Sequence, residues 1–196
     1  MLNRNSTHLS LLQRLSEGDD AVAWDEFCTR YRPLIVGFAR ARGLQQADAE
    51  EVLQEVLLAL TRNMPGFHYD PSRGRFRGYL KTITLRAVLH RFRQKDAAAA
   101  NMDVDAQLAV EDTSPEIDAR WEAQWRQHHL RLAMERARAE SSLTDMAAFE
   151  AYVGEGRPAT QVAADLGLSI EQVYQAKSRI LSRLRASIAE QTADEG

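Results

Sequence analysis

A dense group of basic and aromatic side chains lies between positions 67 and 95. From residue 70 to residue 95 the chain carries eight Lys and Arg against one Asp, with aromatic residues interleaved. Basic groups bind nucleic-acid phosphates, and aromatic rings offer faces on which unpaired bases stack. The segment therefore predicts nucleic-acid binding, although a solvated basic helix with its aromatic residues in a core would show the same pattern.

A second candidate lies near the C-terminus, on both sides of Gly167. Ala163, Gly167 and Val173 have the spacing of a helix-turn-helix, in which the small residue permits close approach and Gly accepts the turn. Ser169 with Gln172 predicts a capping box at the start of the second helix. Recognition helices contact base edges through amide and arginine side chains. The alternative is an ordinary helical hairpin that does not bind DNA. The available side chains are Gln172, Tyr174, Gln175, Ser178 and Arg179, with Lys177, Arg183 and Arg185 adding charge.

An acidic helix face is predicted after Asp48. The stretch from Asp48 to Glu51 resembles a capping box, so we expect a helix to begin at Asp48. Its buried stripe consists of Val52, Leu53, Val56, Leu57 and Leu60. The other faces carry Glu51, Gln54, Glu55 and Leu58, which would suit either a docked partner or simple solvation.

Enzyme chemistry has little support in this sequence. Cys28 is the single cysteine, so neither an intramolecular disulfide nor a Cys-rich zinc site is expected. The adjacent His128 and His129 point to different faces of a helix and predict no metal site. No Gly-rich phosphate loop or nucleophile elbow is present. We therefore predict no catalytic residue, metal, cofactor or small-molecule substrate, and a cytoplasmic protein without a signal peptide or membrane span.

Helices must position these candidates, because the composition contains few β-branched clusters. Helices are predicted over about 21–41, with a kink or break at Pro33, from 48 to 64, and over about 76–94. A further helix is predicted to start at Ser114-Pro115, and the next one includes Phe149. A short helix is predicted before Gly167 and a longer one after it. Residues 96–118 contain seven acidic residues and no Lys or Arg, which predicts a flexible linker. The net charge of the whole chain is −3, but outside residues 96–118 the basic residues outnumber the acidic ones.

With two helical modules and an acidic linker, the sequence resembles the extracytoplasmic-function (ECF) sigma factors, the smallest sigma-70-type initiation factors. Residues 48–56 resemble their region 2.2, and residues 74–83 resemble the entry to region 2.4. Residues 156–163 through 181–185 resemble region 4.2. The family usually has Asn at Arg86, Asp at His90, Trp at Tyr79 and Arg at Ala176.

The resemblance implies an all-α promoter-specificity subunit that binds core RNA polymerase through its β′ and β subunits. Core binding would use Asp48, Glu51, Gln54 and Glu55. Binding and melting of the −10 element would use Phe67, Tyr69, Arg73, Arg75, Arg77, Tyr79, Lys81, Arg86 and Arg93. Recognition of the −35 element would use Gln172, Tyr174, Gln175, Lys177, Ser178, Arg179 and Arg183. The linker would thread into the core enzyme, and an anti-sigma factor is a further candidate partner.

The expected organisation is an extension at 1–20, a region 2-like domain at 21–95, the linker at 96–118, a region 4-like domain at 119–190, and a tail at 191–196. No role follows for the extension. A second class of function remains open at this point. In it, a helix-turn-helix regulator acts alone on duplex DNA, and the N-terminal module serves for dimerisation or sensing.

Overall fold

The computed structural model describes residues 8–17, 20–64, 76–100 and 114–194. Within these ranges every regular element is helical, which confirms the predicted all-α class. In chain order the elements are α1 (His8–Ser16), α2 (Ala21–Ala41), α3 (Gln46–Asn63), α4 (Phe76–Ala100), α5 (Pro115–Glu140), α6 (Leu143–Phe149), a π-helical turn (Glu150–Gly154), α7 (Ala159–Leu166) and α8 (Ile170–Asp194). The described residues divide into two compact units: the first contains those up to His128 together with Asp194, and the second contains His129–Ala193.

The core of the first unit is built around the aromatic stripe of α2. Phe27, Tyr31 and Phe38 are fully buried, as their helical spacing predicts. The Phe27 and Tyr31 rings lie with centroids 4.6 Å apart, and Phe76 of α4 meets the Phe27 ring edge-on at 6.2 Å. Helices α2 and α4 share one core, in which the residues of α4 that helical spacing predicts to be inward are also buried: Phe76, Leu80, Ile83, Ala87 and Val88.

Helix α1 belongs to this core, although the sequence suggested no role for residues 1–20. Leu11, Leu12 and Leu15 are buried with the side chains of α2. Arg14 donates to Asp20 at 2.8 Å and to Glu26 at 2.9 Å, which ties α1 to the start of α2. Because Leu11, Leu12 and Leu15 recur at helical spacing, the sequence already carried this signal.

Two local expectations in the first unit are tested by the helix bounds. Of the kink or break predicted at Pro33, the break is wrong, because helix α2 continues through Pro33 with Tyr31, Leu34 and Ile35 buried around it. Helix α3 begins at Gln46, before Asp48, and its N-cap Gln45 makes no side-chain hydrogen bond. The Asp48 carboxylate is used by cations of α4 instead of capping the helix.

The predicted linker is partly helical. Helix α4 continues to Ala100, beyond the expected end near Gln94, because the alanine run at 97–100 favours the helix. At the other end, α5 begins at Pro115 as predicted, and Ser114 Oγ accepts from the Ile117 amide at 3.4 Å. Residues 96–100 and 115–118 are therefore in helices, while residues 101–113 lie outside the described ranges.

The start of α5 contributes to the first unit. Ile117, Trp121 and Trp125 are buried in the same core as the side chains of α2 and α4. Arg120 Nη1 also donates to the Ala41 carbonyl at 2.8 Å, at the end of α2. The first unit thus extends to His128, past the expected boundary at 118/119.

The second unit places the predicted helix pair on a small apolar core. Ala163 of α7 and Val173 of α8 are buried in one cluster with Ala148 and Val162. Gly167 ends α7 with φ +65°, the left-handed conformation expected of it, and the Leu168 amide donates to the Ala163 carbonyl at 2.9 Å. The sequence pattern predicts an end near Ser187 for the long helix after Gly167, whereas α8 runs to Asp194.

Candidate nucleic-acid interface

The acidic side of α3 faces basic residues of α4 in the first unit. Asp48 is only 7% exposed, and its two carboxylate oxygens accept from Arg91 Nε at 3.0 Å and Lys95 Nζ at 2.5 Å. The Lys95 ammonium, together with the Arg91 guanidinium, lowers the pKa of Asp48, although burial acts in the opposite direction. At neutral pH Asp48 is therefore ionised and holds α3 against α4.

Glu51 and Glu55 are also paired with α4. Glu51 Oε2 lies 2.5 Å from Arg91 Nη1, and Glu55 Oε2 lies 3.1 Å from His90 Nδ1. Gln54 and Leu58 are exposed on the same helix, and Leu58 keeps 55% of its surface accessible. The outward surface of α3 thus combines carboxylates that contact α4 with an amide and an exposed aliphatic side chain.

Arg77 and Lys81, one turn apart on α4, meet acidic residues of α5. Arg77 pairs with Glu122, and Lys81 pairs with Asp118. The Arg77 guanidinium also lies 5.1 Å from the centre of the Trp125 ring, a cation–π contact. A ligand phosphate at either cation would have to compete with a carboxylate that is already there.

Other α4 candidates are differently placed. Arg86 is exposed, and Arg93 is partly buried. Tyr79 is partly buried against the first core, and this burial raises the pKa of its hydroxyl. The predicted contacts Phe67, Tyr69, Arg73 and Arg75 lie outside the described residues.

The start of α8 has the local structure that its sequence predicts. Ser169 Oγ accepts from the Gln172 amide at 3.1 Å, and Gln172 Oε1 accepts from the Ser169 amide at 2.7 Å. These reciprocal bonds are the two halves of a capping box and confirm it. The Gln172 side chain is therefore partly used in holding the helix start.

Exposed polar side chains follow along α8. Gln175 donates to Glu171 at 3.3 Å, while Tyr174 is 50% exposed and meets the Tyr152 ring edge-on. Lys177 lies over the same Tyr152 ring at 5.2 Å. Ser178 is exposed, and Arg183 Nη1 donates to Ser141 Oγ at 2.7 Å. The two amides and the two aromatic rings leave a mixed polar surface that is suited to a polar ligand.

Arg179 has a partner that the sequence did not suggest. Its Nε donates to Asp145 Oδ2 at 2.9 Å and its Nη2 donates to Oδ1 at 2.7 Å. The hydrogen bonds from Arg179 lower the pKa of Asp145. The pattern Ser142-x-x-Asp145 marks a helix start, and Ser142 does cap α6, but nothing in it indicates a partner 34 residues away.

Comparison with known families identifies the part of the first unit that carries the acidic and basic candidates. Residues 27–98 match Sigma-70 region 2. The match covers 72 of the 196 residues, and it spans every candidate from Asp48 to Arg93. No curated protein and no solved structure matches the chain.

Two of the positions at which the sequence departs from the ECF pattern have structural explanations. Within region 2, His90 lies beside Glu55, where the usual Asp would place two carboxylates together. Outside region 2, Ala176 is fully buried in α8, so an arginine at this position would not fit the core. The face of α8 that carries Ala176 is therefore part of the core of the second unit.

The remaining titratable candidates do not form a site among the described residues. No group of three or more His, Cys, Asp and Glu side chains in the described ranges is arranged to hold a metal ion. Cys28 is half-buried, and this burial raises the pKa of its thiol. None of the helices in the described ranges combines the length and the apolarity needed to cross a membrane.

Proposed function

We propose that this protein is a promoter-specificity subunit of RNA polymerase, of the ECF type. The observation that carries the proposal is the region 2 match over residues 27–98, because it coincides with the unit that joins an acidic helix to a basic one. The match supports a sigma-factor role in polymerase binding and promoter melting. In this role the protein contributes binding energy and no catalytic group.

Core polymerase docks on α3 in this proposal. Glu51, Gln54 and Glu55, with the exposed Leu58, form the contact surface for the β′ subunit. Asp48 contributes indirectly, since its buried carboxylate holds α3 on α4 and so fixes the orientation of the α3 contact surface. Leu58 supplies the apolar centre of this contact, and the polar side chains form its rim.

Helix α4 takes the −10 element. Arg86 is exposed for backbone contacts, and Arg93 extends the same basic helix. In this role Arg77 and Lys81 exchange Glu122 and Asp118 for DNA phosphates. Phe67, Tyr69, Arg73 and Arg75, next to this helix in the chain, are proposed to capture unpaired bases with Tyr79.

Helix α8 takes the −35 element in the major groove, with α7 and the Gly167 turn as its support. Gln172 and Gln175 carry the amides and Arg179 the guanidinium that read base edges. Lys177, Arg183 and Ser178 are proposed as phosphate contacts, with Tyr174 beside them. A cytoplasmic location and restraint by an anti-sigma factor complete the proposal.

Run-off transcription tests the proposal. The full chain is mixed with purified core polymerase and a library of randomised promoters, and transcripts are sequenced. We expect the chain to bind core in a pull-down and to enrich one pair of −35 and −10 sequences. Failure to bind core, together with tight binding of the chain alone to duplex DNA, would instead indicate a stand-alone regulator.

A further inference from the structure

In the ion pair between Arg179 and Asp145, the carboxylate contacts one edge of the guanidinium. The contact is bidentate, through Nε at 2.9 Å and Nη2 at 2.7 Å. The Asp145 side chain is 21% exposed, whereas the Arg179 side chain is 47% exposed. The carboxylate thus lies inward, and the arginine extends past it to the surface of the second unit.

The edge that Asp145 occupies decides what the arginine can still do. A guanidinium has five N–H donors in a fixed fork, and Nε with one Nη2 hydrogen forms one side of it. The outer edge, made of Nη1 and the second Nη2 hydrogen, is not used by Asp145. Two parallel donors on that edge match the O6 and N7 acceptors of guanine in the major groove.

Asp145 is itself held in place. Its backbone amide donates to Ser142 Oγ at 3.0 Å, in the N-cap of α6. Arg183, one turn after Arg179 on α8, donates to the adjacent Ser141 at 2.7 Å. The carboxylate that holds the fork therefore comes from a different helix whose first turn is fixed, so the fork loses little further freedom on binding.

Arg179 also shares a helix face with two amide side chains. Gln172, Gln175 and Arg179 follow one another at steps of three and four residues along α8, and all three are exposed. Amides and arginines are the side chains that read base edges by paired hydrogen bonds. This face of α8 therefore carries one guanidinium in a fixed orientation, with two amide side chains beside it.

We propose that Asp145 is a positioning residue that aims the outer edge of Arg179 at a guanine of the −35 element. This inference rests on the proposed function and names a specificity determinant for it. Asp145 touches no base; it acts through Arg179 alone. Loss of Asp145 therefore removes base preference at one position without removing affinity for DNA in general.

The test is a double-mutant cycle in reconstituted holoenzyme. Arg179→Ala, Asp145→Ala and the double variant are assayed for binding to duplex promoters with each base at every −35 position. Arg179→Ala identifies the position it reads by losing guanine preference there. We expect Asp145→Ala to lower the same preference about tenfold, and to have no further effect in the Arg179→Ala background. Affinity for the other bases should stay equal or rise, since a negative charge is removed.

Asp165→Ala is the matched control, because Asp165 also pairs with an arginine, Arg157, within the second unit. It should leave every base preference unchanged. Retained guanine preference in Asp145→Ala, or additive losses in the double variant, would overturn the inference while leaving the proposed function intact. If the wild-type chain with core polymerase enriches no promoter, the proposed function is wrong and the inference falls with it.

Discussion

Trp121 of α5 meets Phe38 of α2 edge-on, with 5.1 Å between the ring centroids and an angle of 81° between the planes. Trp121 is 1% exposed, and Trp125 stacks on it at 5.9 Å. This contact joins residues 83 positions apart and makes the start of α5 a fifth helix of the first core. A segment expected to begin the second domain therefore completes the first.

Trp121→Ala should lower the free energy of unfolding of the first unit by about 3–5 kcal/mol, because it removes a large buried ring from a filled core. Intrinsic tryptophan fluorescence during urea unfolding measures this, since Trp24, Trp121 and Trp125 all belong to residues 1–128. Leu130→Ala serves as the control, because Leu130 of α5 is 48% exposed. An equal loss in both variants would refute a specific role for Trp121.

Helix positions were largely predictable, because each depends on local spacing and caps. The Ser169–Gln172 box and the Gly167 turn are local and were confirmed. The role of Asp48 was not predictable, since the same carboxylate suits a cap or a distant cation. Its partners Arg91 and Lys95 lie 43 and 47 residues away, and only packing of α3 on α4 selects them.

Asp48 should make the stability of the first unit sensitive to acid. The lowered pKa of the folded state contributes stability at pH values above the unfolded value of about 3.9, and this is lost as pH falls through the folded pKa. Asp48→Asn should lower the melting temperature at pH 7 and weaken its fall below about pH 5. Thermal melts from pH 7 to pH 3, followed by tryptophan fluorescence, measure both effects.

The control for this prediction is Asp25→Asn, which changes an exposed carboxylate on α2. Its melting curve should follow the wild type across the whole pH range. The role of Asp48 is contradicted if Asp48→Asn melts as the wild type does at pH 7, or if its acid dependence is unchanged.

Leu58→Glu should weaken binding to core polymerase by about tenfold or more, which is ~1.4 kcal/mol. Leu58 is 55% exposed beside Gln54, so a polar replacement leaves the fold intact and changes only the proposed docking surface. Pull-down titration with core polymerase measures the effect. Val22→Glu on α2, with 53% exposure at the altered residue, is the matched control and should bind as the wild type does.

Neutralising the acids of α5 should raise the affinity of α4 for DNA. Asp118→Asn with Glu122→Gln removes the carboxylates that hold Lys81 and Arg77. Exposed pairs of this kind contribute about 0.2–1 kcal/mol each, so binding of the chain to a single-stranded −10 oligonucleotide should strengthen about fivefold. Fluorescence anisotropy measures it, and Glu116→Gln, another exposed acid of α5, should have little effect. Unchanged affinity in the double variant would place DNA away from Arg77 and Lys81.

The sequence predicted the residue types of the candidate site better than it predicted which of those side chains already have partners within the chain. Arg179 was expected to face bases, and Arg77 and Lys81 to face phosphates, from charge and helix position alone. The structure gives each of them a carboxylate partner from another helix. Such pairs depend on which helices meet, and α4–α5 and α6–α8 contacts leave no trace in local spacing.

Substitutions at Ser169 and Gln172 distinguish helix capping from base recognition on α8. Both side chains contribute one bond of the capping box, so Ser169→Ala and Gln172→Ala should each destabilise the second unit, Ser169→Ala by about 1 kcal/mol. Hydrogen exchange at the first amides of α8 measures this loss. Only Gln172→Ala should also change base preference in the promoter-library assay, because its amide lies on the face that carries Gln175 and Arg179. If Ser169→Ala changes base preference to the same extent, the amide acts through the cap and Gln172 does not read DNA.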